Sequence, residues 1–149
     1  MLLIVGIALF GLAAIDQMVK AWVLHQPDPM MILPGFLEIR AVENPGIIFS
    51  LVLPLWLIIL GSVVSAILLM VALVQAHKAG HERLVVSLCA LLAGGMSNLL
   101  DRFMRGAVID YIALPKPLPI INLGDVLVVL GLVMMLIDVW GRRKKVKSD

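Results

Sequence analysis

The sequence predicts an all-α membrane protein, four transmembrane helices with a small extracytoplasmic β-platform between the first and second. Three observations carry this. Of 149 residues, 62% are hydrophobic and 15% charged, and mean hydropathy is +1.08; soluble domains hold about 45–50% apolar residues. Four apolar stretches are long enough to cross about 30 Å of hydrocarbon. The basic residues are divided unevenly between the connections. The whole chain, residues 1–149, reads as one integral membrane domain.

The first span is Leu2–Leu24. Asp16, Gln17 and Lys20 stand where a cleaved leader would carry small residues, and no basic stretch precedes it, so it reads as a retained anchor. The platform occupies residues 30–50. Leu37, Ile39 and Ala41 alternate there with Glu38, Arg40 and Val42, a period of two with one apolar face. Pro34-Gly35 and Asn44-Pro45-Gly46 punctuate it as turns. A hairpin lying on the membrane surface fits, because an open sheet edge within lipid leaves backbone groups unpaired.

The second span is Leu51–Val74. The third is Leu84–Leu100, its helix continuing to about residue 104, and the fourth is Gly124–Trp140. Between the third and fourth, Pro115, Pro117 and Pro119 favour an extended connection. The connection after the second span and the C-terminal tail hold Lys78, Arg83, Arg142, Arg143, Lys144, Lys145 and Lys147. The opposite connections hold Arg40, Arg105 and Lys116. Seven basic residues against three place the first set, and both termini, in the cytoplasm. Cys89 is the only cysteine, so no intramolecular disulfide forms, and its apolar surroundings make it a small core residue.

The ionisable residues collect at one edge of the spans. Residues 94–111, GGMSNLLDRFMRGAVIDY, carry Asn98, Asp101, Arg102 and Asp110 at the outlet of the third span, and Asp125 opens the fourth. A charge at the centre of a membrane helix costs roughly 2.5–3.5 kcal/mol on insertion scales, so a chain that keeps several near its spans uses them. Asn98, Asp101 and Arg102, at i, i+3 and i+4, share a helical face. Gly94, one turn further in, admits a neighbouring helix at close range. The plain reading of Asp101 and Arg102 is a structural ion pair. Asp110 has no basic neighbour and lies among Ile109, Tyr111 and Ile112, where desolvation raises a carboxyl pKa.

Asn122 and Asp125 read as a helix N-cap with an acid at its third position. That role does not exclude chemistry, since two carboxylates brought close keep one proton between them. The ionised acid can then activate water while the protonated one serves a scissile carbonyl. Asp16 and Lys20, at i and i+4, read as an ion pair on a helix face with Lys20 reaching for the interface. His77 and His81 read as solvated, and no zinc-type motif is present. Neither a metal nor another cofactor is expected. Two other classes stay open on the residues alone: an ion-conducting protein, and an assembly factor with Asp101 and Arg102 as helix glue.

Four motifs occur in order: Asp16-Gln17-x-x-Lys20; Asn44-x-Gly46-x-x-Phe49-Ser50; Asn98-x-x-Asp101-Arg102-x-x-x-Gly106-x-Val108-x-Asp110-Tyr111; and Asn122-x-x-Asp125. Together they resemble bacterial lipoprotein signal peptidase, signal peptidase II, over nearly the whole chain. The resemblance implies an aspartic endopeptidase of the bacterial inner membrane, with Asp110 and Asp125 at the catalytic positions. It implies prolipoprotein substrates cut on the N-terminal side of a cysteine that already carries diacylglycerol. Asn44, Gly46, Asn98, Arg102 and Asn122 match positions that line or brace the substrate site, with Asp101 beside them, and Asp16 and Lys20 match the first motif. The expected partners are these substrates and membrane lipids, with no nucleic acid, and the chain is expected to be a monomer. It departs from the family pattern at Pro45, Ile47 and Ile48, at Gly124 where alanine is common, and at Tyr111 where phenylalanine is frequent.

Overall fold

A computed structural model describes residues 2–46 and 53–146. The elements in chain order are α1 (Leu2–Val23), β1 (Met30–Leu33), β2 (Leu37–Asn44), α2 (Leu55–Lys78), α3 (Glu82–Arg105), β3 (Val108–Ala113) and α4 (Leu123–Val146). All four helices are long and apolar enough to cross a membrane. Residues Ile47, Ile48, Phe49 and Ser50, and the expected start of the second span at Leu51, lie outside the described residues.

α3 and α4 overrun at both ends the apolar stretches that announced them, and α2 does so at its C-terminal end, while α1 ends one residue short of Leu24. Hydropathy marks the hydrocarbon crossing, whereas the helical hydrogen-bond ladder continues until a cap ends it. Gly80, with φ +70°, closes the turn between α2 and α3, and Gly106, with φ +78°, caps α3 by donating to the Arg102 carbonyl. Both adopt the left-handed conformation that glycine reaches without a Cβ penalty.

Helix α3 is the hub. In its most apolar stretch 61% of residues are buried, against 17% or less in the other three helices, so those three wrap around it. Ala93 at its middle is wholly enclosed and packs with Ala13 of α1 and Leu127 of α4. Toward the α2–α3 turn, Ala76, Val85, Leu88 and Leu91 form a second cluster.

The approach of α4 to α3 depends on glycine. A Cβ on Gly94 would sit 2.2 Å from the Gly124 carbonyl oxygen, and one on Gly131 2.8 Å from that of Ser87. Two rigid backbones therefore meet where only hydrogen fits, as the sequence anticipated for Gly94.

The sheet has the order β1-β2-β3, antiparallel throughout. Its first two strands lie within residues 30–44 of the expected platform, and Pro34-Gly35 makes the turn, with the Phe36 amide donating to the Leu33 carbonyl. Two features differ from expectation. The apolar face does not run through Ala41, which is exposed. Ile39 stands opposite Ile112 and Val42 opposite Asp110, so β2 carries one extra residue there. This bulge moves the inward face from Ile39 to Val42 and Asn44. The third strand comes from the connection after α3, which was expected to be extended but not to join the sheet. It is buried on both faces, so its sequence, VIDYIA, shows no alternation; only its β-branched and aromatic content marks it.

Gly94→Ala is expected to destabilise the bundle by about 3 kcal/mol or more, because the backbones must part to admit a methyl group. Thermal unfolding in detergent checks this, and a melting temperature equal to the parent's would contradict it.

Candidate active site

The polar residues meet where the sheet covers one end of the bundle, and they form two adjoining layers. The inner layer is an ion cluster. Lys20, fully buried, lies 2.7 Å from Asp16 Oδ2 and 2.8 Å from Asp101 Oδ2, both carboxylates equally buried. Arg105, partly exposed, pairs with Asp101 from the rim. Ser97 Oγ donates to Asp16 Oδ2 at 2.6 Å, and Gln17 Nε2 donates to Ser97 and to Asp101 Oδ1.

These contacts revise two expectations. Lys20 does not reach for the interface but turns inward to α3. The ion pairs of Asp101 are with Lys20 and Arg105 rather than Arg102, whose guanidinium donates to the Asn98 and Gly46 carbonyls. Adjacent helical residues point about 100° apart, so a pair needs a spacing of three or four, as Asp101 and Arg105 have. Asn98 contacts both Lys20 and Asp125 of α4.

The outer layer holds the two acids picked out by the sequence. Asp110 projects from β3 and is 3% exposed. Its Oδ1 accepts from Asn122 Nδ2 at 2.6 Å and its Oδ2 from Asn44 Nδ2 at 3.0 Å. Asn44 reaches it because of the β2 bulge, and Asn44 Oδ1 accepts the Gly46 amide in a tight turn. Asp125 sits in the first turn of α4. Its Oδ2 accepts the Asn122 amide at 3.2 Å while the Asp125 amide donates to Asn122 Oδ1 at 2.8 Å. This reciprocal pair is the capping arrangement read from the sequence. Asp125 Oδ1 accepts from Asn98 Nδ2 at 2.8 Å.

Asn122 therefore spans both acids, its side-chain amide on one and its backbone amide on the other. Asn98 links the layers, since its Oδ1 accepts from Lys20 Nζ at 2.9 Å. That contact fixes the amide with its NH₂ toward Asp125. Among the described residues, every buried side-chain nitrogen and oxygen has a partner.

Burial pushes the Asp110 carboxyl above the ordinary aspartate range, and the nearby charge of Asp125 pushes the same way; the Asn44 and Asn122 amides and Lys20 oppose it. Burial and the adjacent Asp16 also raise the Tyr111 phenol. It stays protonated and donates to Asp16 Oδ1 at 2.9 Å.

Asp110, Asp125, Asn44, Asn98 and Arg102 line a cavity of about 330 Å³, together with Pro119, Ile120 and Ile121. Asn98, Arg102, Asp125 and Val128 also border a groove of about 490 Å³ running between α2, α3 and α4. Gly61, Ser62, Ser65 and Gly95 give that groove its width. Among the described residues no cluster of three or more histidine, cysteine or acidic side chains is arranged to hold a metal ion. His77 and His81 are exposed near the α2–α3 turn.

Ser97, Arg105 and the structural part played by Tyr111 escaped the sequence reading. Ser97 and Arg105 flank Asp101 at four-residue spacing, on the face that meets α1, which is the signal that marks them.

Four membrane-length helices, with a cavity lined by two carboxylates at one end of their bundle, define a polytopic membrane protein. A sequence model of signal peptidase II matches residues 8–141, and the chain belongs to that family. It is 32% identical to a lipoprotein signal peptidase of Thermosynechococcus vestitus over 89% of each chain. It is 34% identical to one from a Synechococcus species over 86% of this chain and 88% of the other. Two solved structures of bacterial membrane enzymes share the fold. One superposes with a TM-score of 0.80 over 94% of this chain and 90% of its own, the other with 0.74 over 90% and 91%, both at 22% identity.

Replacing Asn44 by the near-isosteric leucine removes a donor that favours the charged form of Asp110. The Asp110 titration, followed by carbon-13 NMR of labelled aspartate, is expected to move to still higher pH. A shift to lower pH would contradict the assigned hydrogen bond.

Proposed function

We propose that the chain is a membrane-embedded aspartic endopeptidase that removes signal peptides from diacylglyceryl-modified prolipoproteins, cutting N-terminal to the lipidated cysteine. The observation that carries this reading is the pair Asp110 and Asp125, facing one cavity with Asn122 bridging them. Family membership supports the substrate class, and the relatives bear the name lipoprotein signal peptidase.

The two acids are placed differently, which suits them to different tasks. Asp110 is buried, and its raised pKa makes it the acid that keeps the shared proton. Asp125 lies at the N-terminus of α4, where the helix dipole favours a carboxylate. Asp125 takes a proton from a water molecule as the water oxygen bonds to the scissile carbonyl carbon, while Asp110 gives its proton to the carbonyl oxygen. The tetrahedral intermediate then returns a proton to Asp110 as the C–N bond breaks, and the departing amine takes the proton held by Asp125.

The rest of the site serves binding. Arg102, anchored on the Asn98 and Gly46 carbonyls, presents its remaining donors to the substrate's peptide carbonyls. The groove between α2, α3 and α4 opens beside the acids and is largely apolar, so it suits the acyl chains and the signal segment of a substrate arriving through the membrane. Sheet strands β2 and β3 cover the peptide and limit water. The distribution of basic residues supports cytoplasmic termini and a site at the outer face of the inner membrane.

An ion path would need acids staged through the bilayer. Asp16, Asp101, Asp110 and Asp125 instead gather at one end, which favours hydrolysis over conduction. Asp110→Asn and Asp125→Asn are each expected to lower kcat on a lipidated lipobox peptide by at least about 10²–10⁴-fold, the usual share of a general acid or base. Their thermal unfolding should match the parent's. Turnover within a few-fold of the parent in either variant would overturn the assignment.

A further inference from the structure

The turn end of the sheet carries a surface that the site does not use. From Pro29 to Leu37 no residue is charged, and Met31, Ile32, Leu33 and Phe36 are 50–64% exposed. β1 is the edge strand, and its four residues are exposed on both faces. In water, such an apolar edge is a pairing and aggregation surface.

We propose that this hairpin tip, Met30–Phe36, is inserted into the interfacial layer of the bilayer leaflet on the sheet side, making the sheet a lipid-anchored arm. The choice of lipid as its occupant follows from depth. α1, at 22 residues, is about 33 Å long at 1.5 Å per residue. That length matches the hydrocarbon thickness of about 30 Å, so Val23 lies near its edge. Trp22, 47% exposed on the same last turn, is the residue type that marks such an edge.

The hairpin is tied to that level. Ile39 packs into the cluster built on Val23, and Met30 is Ile39's partner across the β1–β2 ladder. Phe36 is three residues from Ile39, so the tip is at most about 10 Å away at roughly 3.3 Å per strand residue. The tip therefore lies within about 10 Å of the hydrocarbon edge, at or next to the headgroup layer. There the unpaired edge of β1 still finds water and headgroup partners, which the hydrocarbon centre would deny it. The charged residues that follow, Glu38 and Arg40, pair with each other at 3.2 Å, with Arg40 exposed and Glu38 partly so.

The same sheet carries Asn44 and Asp110, so the anchor gives the strands above the cavity a second support besides the helices. This inference is independent of the reaction the site performs. The test uses the full chain with Trp22, Trp56 and Trp140 replaced by phenylalanine and a single tryptophan introduced as Phe36→Trp, or separately as Met31→Trp. Each protein is reconstituted in phosphatidylcholine vesicles with bromine near the carbonyl end or the methyl end of the acyl chains. Blue-shifted emission, quenched more by shallow than by deep bromine and unchanged on dilution with lipid, is expected. Water-like emission without quenching would overturn the proposal. So would a blue shift that vanishes on dilution with lipid, because it would identify a second copy as the occupant.

Discussion

The ammonium of Lys20, held between Asp16 and Asp101, is the interaction on which the site depends. Burying three charges is expensive, and a buried ion pair adds little net stability over a well-packed apolar alternative. What this one supplies is position. The Ile109 amide donates to Asp101, while Tyr111 and the Leu123 amide donate to Asp16. Ile109 and Tyr111 flank Asp110, and Leu123 precedes Asp125 by two residues. One buried cluster thus fixes the strand that presents the first acid and the helix start that presents the second. Through Asn98 it also reaches the second acid directly.

Folding and chemistry share residues here to an unusual degree. Asn122 caps α4 and also holds both acids; the β2 bulge bends the sheet and also brings Asn44 to Asp110; Gly94 lets α4 close on α3 and so puts Asn98 against Asp125. A substitution at any of them disturbs structure and site together. The acids themselves come nearest to an exception, because an asparagine fills the same volume and keeps one of the two accepting oxygens, at the cost of one donor set against another.

Much of this was legible in the sequence, for identifiable reasons. Membrane spans announce themselves by length and apolarity, and the cap at Asn122 and Asp125 is a local pattern. Asp110 stood out as an acid among apolar neighbours, and Gly94 as a gap in a helix face. The third strand was hidden because burial on both faces erases the alternation that marks a strand. The bulge was hidden because one inserted residue is set by the partner strand, which lies 66 positions away at the Asn44–Asp110 contact. The inward turn of Lys20 was hidden for a similar reason. Its second carboxylate, Asp101, comes from α3, and a lysine near a span end ordinarily reaches for the interface.

The most direct test of this account is Lys20→Met, with Lys20→Arg beside it, assayed for thermal unfolding and for turnover in one detergent. Methionine leaves two buried carboxylates short of a counter-charge, and breaking such a pair typically costs about 3–5 kcal/mol. The account predicts a lower melting temperature and, at temperatures where the variant remains folded, a fall in kcat larger than any change in KM. Arginine, too large for the same enclosure, should not restore either. A methionine variant that melts with the parent and turns over at the parent's rate would show that the site is positioned by something else.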